Sequence, residues 1–438
     1  MSSPELLPPL RMPRALLDPR LGTLGAADAQ GLVAVRLEHG GGRICAIHPW
    51  PDPGSSCQAE LASAELPLAI TPPVEPHAHL DKPFTAAAFP NWEGTVAGAF
   101  AANIEESRSR DLQGVLTRAE RGLALGWSQG LRAIRSHIDS LGVAADPSWE
   151  ALLSLRQRWA DRLELQLVAM VPIQHWLTPA GEALAQRVAA AAGILGGVIG
   201  PPFASRRQDR EGLVALLRLA ERLGCGVDLH IDEGSSEPGR GVAMVCRLML
   251  EQRSAVPLVC SHASSMALLA ERPCRRLCEA IAAAGIGVIA LPTTNLWLLG
   301  RRAGRTPLLR IQAPIRQLQS AGVEVALGGD NVQDPWYPGG AFDPVELLRL
   351  ASLTSHVVPW QRQGLAPFTT APSRLLGLAW DGVVRPGAPA DLLVFGAGSW
   401  GQLLAQAPQR RVLRGGQWLP PPASERPSPL LSCLPVPR

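Results

Sequence analysis

The chain is almost without lysine, and it lacks the features that would place it in several large classes of protein. Lys82 is the only lysine in 438 residues, and the formal net charge is +3, with arginine supplying nearly all of the positive charge. No block of basic residues is present, which argues against a nucleic-acid partner, because phosphate binding needs a concentrated basic face. No run of 18 apolar residues occurs, so a membrane-spanning helix is not expected.

Cysteine is sparse and has no pairing pattern. The eight cysteines include no CxxC pair, and Cys225 and Cys260 lie within apolar runs, where cysteine acts as a small hydrophobe. This usage is typical of a reducing compartment rather than of a disulfide framework. The first twenty residues lack the apolar core of a signal peptide. We therefore expect a cytoplasmic protein without a membrane or nucleic-acid partner.

The chain does show a regular alternation of two kinds of segment. Short apolar runs rich in β-branched residues alternate with Ala-, Leu- and Arg-rich segments of helical spacing, such as 209–223 and 266–283. Eight strands alternating with helices predict a parallel sheet closed into a (β/α)8 barrel of the TIM type. The first connection is the longest and is expected to carry extra helices. The eight runs span residues 69–79, 131–139, 163–174, 195–200, 225–233, 255–264, 285–295 and 322–330.

Both ends of the chain predict strands outside this barrel. Residues 30–48 are typical of a β-hairpin that turns at three consecutive glycines, and residues 383–395 and 409–418 are also strand-like. The two ends are expected to combine in a small β-sandwich. The predicted organisation is the N-terminal part of the sandwich at 1–68, the barrel at 69–378, the C-terminal part of the sandwich at 379–420 and a proline-rich tail at 421–438.

Polar side chains accumulate where the predicted barrel strands end, which is where the active sites of such barrels lie. Six of the nine histidines fall at these positions. The strand-end residues are His77, His79 and Asp81 on the first strand, His137 and Asp139 on the second, Gln174 and His175 on the third, His230, Asp232 and Glu233 on the fifth, His262 on the sixth, Asn295 on the seventh and Asp330 on the eighth.

Four of these residues predict a metal site. His77 and His79 are two positions apart, so both side chains are expected on the face of the strand that looks into the barrel. His230 and Asp330 approach from the fifth and eighth strands. Three imidazoles and one carboxylate suit Zn²⁺ or Fe²⁺ and leave a position for water, whose pKa such an ion lowers to about 7. Glu233, three residues beyond His230, is placed to take up a proton and pass it on.

Each of these residues also has a plainer interpretation. An HxH pair alone predicts a metal site only weakly, and His137 is as well explained by packing or by support of the ligands. His175 follows Gln174 and therefore points to the other face of its strand, which favours a structural role. The combination of HxH, HxDE, Ser-His and Asp on four strands is much more specific than any single part.

These motifs together resemble the amidohydrolase superfamily and, within it, the bacterial cytosine deaminase family, in an Asp-Asn variant. The resemblance covers most of residues 30–418, and the HxDE and DPWYP segments are specific at the family level. The stretches that carry it are VEPHAHLDK (74–82), RSHIDS (135–140), VAMVPIQ (168–174), LHIDE (229–233), CSHASSM (260–266), NLWLLGR (295–301), GGDNVQDPWYPGG (328–340) and GAPADLLVF (387–395).

The resemblance implies a role for each matching residue. Glu233 would shuttle protons to the ring and the departing ammonia, His262 would orient the attacking water, and Asp330 would also accept its proton. A single iron or zinc ion would be held by His77, His79, His230 and Asp330. The substrate ring would be bound by Gln174, Asn295, Asn331 and Trp336.

The implied reaction is hydrolytic deamination of a small amino-substituted N-heterocycle, with the conversion of cytosine to uracil and ammonia as the first expectation. The alternatives are hydrolysis of a cyclic amide, a cyclic guanidine or an N-alkylamino-triazine, and a barrel that binds a ligand without catalysis. The resemblance also implies a homo-oligomer. Many amidohydrolases hold two metals bridged by a lysine on the fourth strand, but residues 195–205 contain none, which favours one metal.

Two positions depart from the cytosine deaminase pattern. Asn331 stands where that family has a second aspartate, and Leu299 stands where it has a glutamine. Both changes are expected to alter recognition of the ring rather than the chemistry.

Overall fold

The computed structural model describes residues 4–22, 24–51, 66–200, 207–405 and 409–420. The chain divides into two compact units. One comprises Met1–Pro72, Ser128–Gly130 and Gly382–Arg438, and the other comprises Pro73–Trp127 and Leu131–Asp381. The domain limits expected from the sequence differ from these by a few residues and stay a prediction.

The first unit contains a sheet built from both ends of the chain. Its path runs β1-β3-β2-β5-β14-β15-β16, with β4 paired to β3, and most neighbours are antiparallel. One face of the sheet buries an apolar cluster that includes Met12, Val35 and Leu392. The strands are β1 (Glu5–Leu6), β2 (Leu10–Pro13), β3 (Leu32–Gly40), β4 (Arg43–Pro49), β5 (Leu68–Ile70), β14 (Leu392–Phe395), β15 (Arg410–Arg414) and β16 (Gln417–Trp418).

The second unit contains eight parallel strands paired in chain order. The ring closes between the last strand and the first, where the Asp330 amide donates to the His77 carbonyl at 3.0 Å and Ala78 pairs with Asp330. The prediction of a (β/α)8 barrel with an additional sheet from the chain ends is confirmed. The strands are β6 (Val74–Ala78), β7 (Ala133–Asp139), β8 (Glu164–Met170), β9 (Ile194–Ile199), β10 (Val227–Ile231), β11 (Leu258–His262), β12 (Gly287–Ala290) and β13 (Val325–Leu327).

Helices fill the connections between the barrel strands, and each buries one apolar stripe. In the helix at Arg207–Leu223, for example, Leu213, Leu216 and Leu217 are buried, which is the spacing of a single helical face. The helices are α1 (Val96–Ser109), α2 (Leu112–Ser128), α3 (Ala145–Arg158), α4 (Pro179–Ala190), α5 (Arg207–Leu223), α6 (Arg240–Gln252), α7 (Glu271–Ala283), α8 (Pro292–Leu298), α9 (Ile315–Ser320), α10 (Pro344–Thr354), α11 (Thr370–Leu375) and α12 (Trp400–Ala405).

The predicted elements differ from the observed ones at three places. The first apolar run, 69–79, splits at Thr71–Pro73 into β5 and β6, because two consecutive prolines cannot donate to a ladder. The run predicted at 163–174 ends at Met170, and Gln174 lies in a 3₁₀ turn at Ile173–Leu177. Asn295 lies in α8 rather than in a strand.

Other expectations concern the connections and the tail. The long first connection carries α1 and α2, as expected. The proline-rich tail at 421–438 lies outside the described residues. Within the described part of the chain, no helix combines the length and the apolar character needed to cross a membrane.

Candidate metal centre and active site

Three of the predicted ligands meet at the carboxyl end of the barrel. His77 lies in β6, His79 follows it, and His230 lies in β10. All three are buried, and the Nε2 atoms of His77 and His230 are 3.1 Å apart. Burial first, and then the neighbouring imidazoles, hold the pKa of His77 and of His230 well below the usual range. These two rings are therefore neutral and have lone pairs for a cation.

Asp330 completes the cluster from the segment that follows β13. Its Oδ1 atom lies 3.2 Å from the Nε2 atom of His79 and 3.6 Å from that of His77. The Asp330 backbone is left-handed, with φ at 66°, and His262 shows the same feature at 71°. Left-handed backbone is unfavourable for residues other than glycine and persists where the surroundings enforce it, often at functional sites.

The residues present fit a divalent metal ion. Ligand atoms of His77, His79 and Asp330 lie within 4.8 Å of one another, and so do those of His77, His137 and His230. Buried neutral imidazoles with one carboxylate form the donor set that Zn²⁺ and Fe²⁺ accept. His137 stacks on His77 at a ring-centroid distance of 3.8 Å, so it packs against a ligand and also lies within reach of the site.

A buried relay fixes the orientation of His77. The Ser261 hydroxyl donates to Asp228 Oδ1 at 2.7 Å and lies 2.9 Å from His77 Nδ1. Because the hydroxyl proton goes to Asp228, the serine oxygen accepts from Nδ1, which leaves Nε2 as the free lone pair. Asp228 is itself held by Arg135 at 3.0 Å. Sequence reasoning missed Asp228, although its position two residues before His230 places both on one face of β10.

Glu233 and His262 lie together beside the histidine cluster. Glu233 Oε1 is 3.5 Å from His262 Nδ1, which also contacts the Asn295 amide at 3.0 Å. Burial, and then the charge of Asp330, raises the pKa of Glu233 to about 8. Burial lowers the pKa of His262 to about 4. Near neutral pH, the carboxyl is therefore protonated and the imidazole neutral, which suits a proton carrier beside a hydrogen-bonding ring.

A cavity of about 110 Å³, termed the inner cavity, opens next to these side chains. It is lined by His79, Lys82, Phe100, Asn103, Asp139, Met170, Val198, His230, Glu233, His262, Asp330, Asn331 and Trp336. Of the predicted substrate-binding residues, Asn331 and Trp336 line it. The rings of Trp336 and Phe100 pack edge to face in the cavity wall, with their centroids 4.7 Å apart. Phe100 and Asn103 lie in α1, and the helical spacing of that segment did not predict that they line the site.

Gln174 and Asn295 are not among the residues that line the inner cavity. The Gln174 amide donates to Asp209 at the start of α5. Gln174 lies away from the cavity because β8 ends at Met170, and Met170 lines the cavity where Gln174 was expected. Asn295 is fully buried and reaches the site only through His262.

The single lysine of the chain is buried in the cavity wall. Lys82 Nζ lies 2.8 Å from Asp139 Oδ2 and 3.7 Å from Asp81 Oδ1, and Arg110 contacts both carboxylates. Burial alone would raise the pKa of Asp139, but the charges of Lys82 and Arg110 lower it far below the usual range. The aspartates that sequence reasoning placed at the ends of β6 and β7 thus belong to an ion-pair network beside the cavity.

Comparisons with known proteins agree with this fold. The model of the amidohydrolase family matches residues 97–414. A pterin deaminase of Rhizobium rhizogenes strain K84 is 32% identical over 371 residues, which are 83% of this chain and 84% of that protein.

Two solved structures share the fold. A 5-methylcytosine deaminase of Klebsiella pneumoniae liganded with phosphonocytosine has a TM-score of 0.77 and 26% identity, over 88% of this chain and 95% of that one. An N-isopropylammelide isopropylaminohydrolase of Burkholderia multivorans has a TM-score of 0.71 and 23% identity, over 94% and 98% of the two chains. From its match to the family model and to the Rhizobium rhizogenes enzyme, this chain belongs to the amidohydrolase family.

Proposed function

We propose that the chain is a metal-dependent hydrolytic deaminase of an amino-substituted N-heterocycle. The observation that carries the proposal is the convergence of His77, His79, His230 and Asp330 at the carboxyl end of the barrel, next to the carboxyl group of Glu233. In this proposal the four residues hold one Zn²⁺ or Fe²⁺ ion. When bound, such an ion lowers the pKa of a water molecule and so supplies a nucleophile near neutral pH.

The other steps of the reaction are assigned to residues of the protein. Glu233 donates its proton to a ring nitrogen next to the amino-bearing carbon, which makes that carbon more electrophilic. The resulting carboxylate takes up a proton from the attacking water and passes it to the departing amine. His262 accepts a hydrogen bond from the Asn295 amide at Nδ1, so the neutral ring carries its proton on Nε2 and donates one hydrogen bond to the attacking oxygen. The aromatic pair of Phe100 and Trp336 excludes water from the face of the ring.

We infer a pterin-like bicyclic ring as the first candidate for the substrate. The pterin deaminase of Rhizobium rhizogenes is 32% identical, which supports this choice over more distant relatives. The size of the site also supports it. The inner cavity of about 110 Å³ adjoins an outer cavity of about 460 Å³, and the walls of both include Phe100, Val198 and Trp336. The adjoining space leaves room for a second ring.

Cytosine, the substrate first expected from the sequence, is the second candidate. The similarity to a 5-methylcytosine deaminase at 26% identity favours it. Asn331 lines the inner cavity; its carbonyl accepts from Thr294 and its amide donates to Asp334, which leaves one lone pair and one N–H for a pyrimidine edge. A homo-oligomeric assembly, a cytoplasmic location and the absence of a nucleic-acid partner stay predictions.

The test is release of ammonia by protein loaded with Zn²⁺ or Fe²⁺ from pterin, cytosine, 5-methylcytosine, guanine and creatinine, with an N-alkylamino-triazine as the probe for release of an alkylamine. We expect ammonia from pterin at a higher kcat/KM than from cytosine. Release of ammonia from cytosine but not from pterin would make cytosine the first candidate for the substrate. Release of alkylamine but no ammonia would replace deamination by N-dealkylation, and no product from any compound would contradict the proposal.

A further inference from the structure

The outer cavity has a chemical character of its own. It extends from the inner cavity to the segment after α8 and has a volume of about 460 Å³, within the range of about 300–1,000 Å³ usual for small-ligand sites. Hydroxyls of Thr95 and Ser235 and the apolar side chains of Leu298 and Leu299 form much of its wall. Arg301 is the one arginine or lysine among the described residues that line it.

The guanidinium of Arg301 is held in place without a carboxylate. Its Cζ atom lies 4.3 Å from the centre of the Trp297 ring, and Nε donates to the Trp297 carbonyl at 3.3 Å. On the other side is Gly94, where an added Cβ would lie 2.7 Å from Cζ, so glycine leaves the space that the guanidinium occupies. None of the acidic groups in the described ranges forms an ion pair with Arg301.

The arrangement sets the charge of the outer cavity. Among the described residues of its wall, Glu233 is the one acidic residue; it lies at the boundary with the inner cavity, and its pKa is raised to about 8 by burial and then by the charge of Asp330. The remaining wall carries the positive charge of Arg301, and among the described residues none accepts a hydrogen bond from its terminal N–H groups. A guanidinium with free N–H groups is suited to two parallel hydrogen bonds with a carboxylate.

We propose that Arg301 binds a carboxylate substituent of the substrate, so that the natural substrate is an amino-substituted heterocycle with an acidic side group. The amino-bearing ring then lies in the inner cavity beside Glu233, and the second ring with its carboxylate extends into the outer cavity. This inference rests on the proposed deaminase function. It makes Arg301 a specificity-determining residue that contacts the substrate away from the reacting carbon.

The experiment compares pterin with pterin-6-carboxylate in steady-state kinetics. For the wild-type protein we expect kcat/KM for the carboxylated ring to exceed that for pterin by roughly tenfold or more. This is the gain in binding that a charge-assisted hydrogen bond typically gives. In Arg301→Met this advantage disappears through an increase in KM with kcat nearly unchanged, because the contact is made equally in the ground and transition states. Arg301→Lys restores part of the preference.

The matched control is Arg302→Met. Arg302 is exposed, as Arg301 is, but it does not line either cavity, so its removal changes the net charge equally and should leave the preference intact. Equal kcat/KM for the two wild-type substrates, or a loss of preference in Arg302→Met as large as in Arg301→Met, would overturn the inference while the deaminase function stood.

Binding separates this inference from the deaminase function. The intrinsic fluorescence of both pterins reports Kd in the absence of turnover. If no compound released ammonia, the function would fail, and the inference would then be decided by Kd alone. Tighter binding of the carboxylate than of pterin, lost in Arg301→Met, would support it, and equal Kd values would overturn it.

Discussion

Replacement of Ser261 by alanine tests whether the relay behind His77 prepares a metal ligand. The hydroxyl lies 2.9 Å from His77 Nδ1 and 2.7 Å from Asp228 Oδ1, so its loss leaves the Nδ1 proton buried without an acceptor. An unsatisfied buried donor costs about 1–3 kcal/mol, and the ring is no longer held in the tautomer that presents Nε2. Groups that orient metal ligands typically contribute 10–100-fold to metal affinity. We expect Ser261→Ala to weaken Zn²⁺ binding by that factor.

The assay is competition with a chromogenic chelator, alongside thermal unfolding of the metal-free protein. Asp228 keeps Arg135 at 3.0 Å in the variant, so the fold should be retained. Ser264→Ala is the control, because Ser264 is equally buried but donates to the Asp232 carbonyl instead of contacting a ligand. Zinc affinity within twofold of wild type in Ser261→Ala, or an equal loss in Ser264→Ala, would refute the reasoning.

Four further outcomes are expected. Glu233→Gln should abolish ammonia release at unchanged metal content, and persistent turnover would remove Glu233 as the proton carrier. His77→Ala should lose metal, measured by elemental analysis, whereas His175→Ala, outside the inner cavity, should keep it. Lys82→Met should destabilise the fold by about 1–3 kcal/mol in chemical denaturation, because half-buried Asp139 loses one charged partner and keeps Arg110 at 3.1 Å; an unchanged midpoint would contradict this. Finally, the pKa of Glu233 is raised to about 8, so its folded state binds the proton more tightly than the unfolded state. Wild-type metal-free protein should therefore lose stability relative to Glu233→Gln between pH 5 and 8, at up to about 1.4 kcal/mol per pH unit, and a constant difference would contradict the shift.

The barrel was predictable from sequence because its signals are local. β10, for example, is a short run buried on both faces, and the helix that follows it, α6, buries one apolar stripe. The two-residue spacing of His77 and His79 and the strand-end position of His230 follow from the same periodicity. The closing contact of Asp330 with the first strand also follows once eight strands are counted.

What sequence reasoning missed depends on contacts between distant segments. Gln174 was expected at the site because the third apolar run continues to it, but β8 ends at Met170 and the following turn directs Gln174 to Asp209. Phe100 reaches the inner cavity from a helix inserted in the first connection, and its helix has no spacing that marks it as a site. The position of Lys82 in the sequence predicted no role for it, because its ion-pair partners come from other strands and helices.

The most direct test of the central claim is a titration of metal-free protein with Zn²⁺ or Fe²⁺ while ammonia release from pterin and cytosine is followed. One ion held by His77, His79, His230 and Asp330 predicts no release without metal and a linear rise that saturates at one ion per chain. Ammonia released by the metal-free protein, or saturation only at two ions per chain, would contradict the single-metal deaminase.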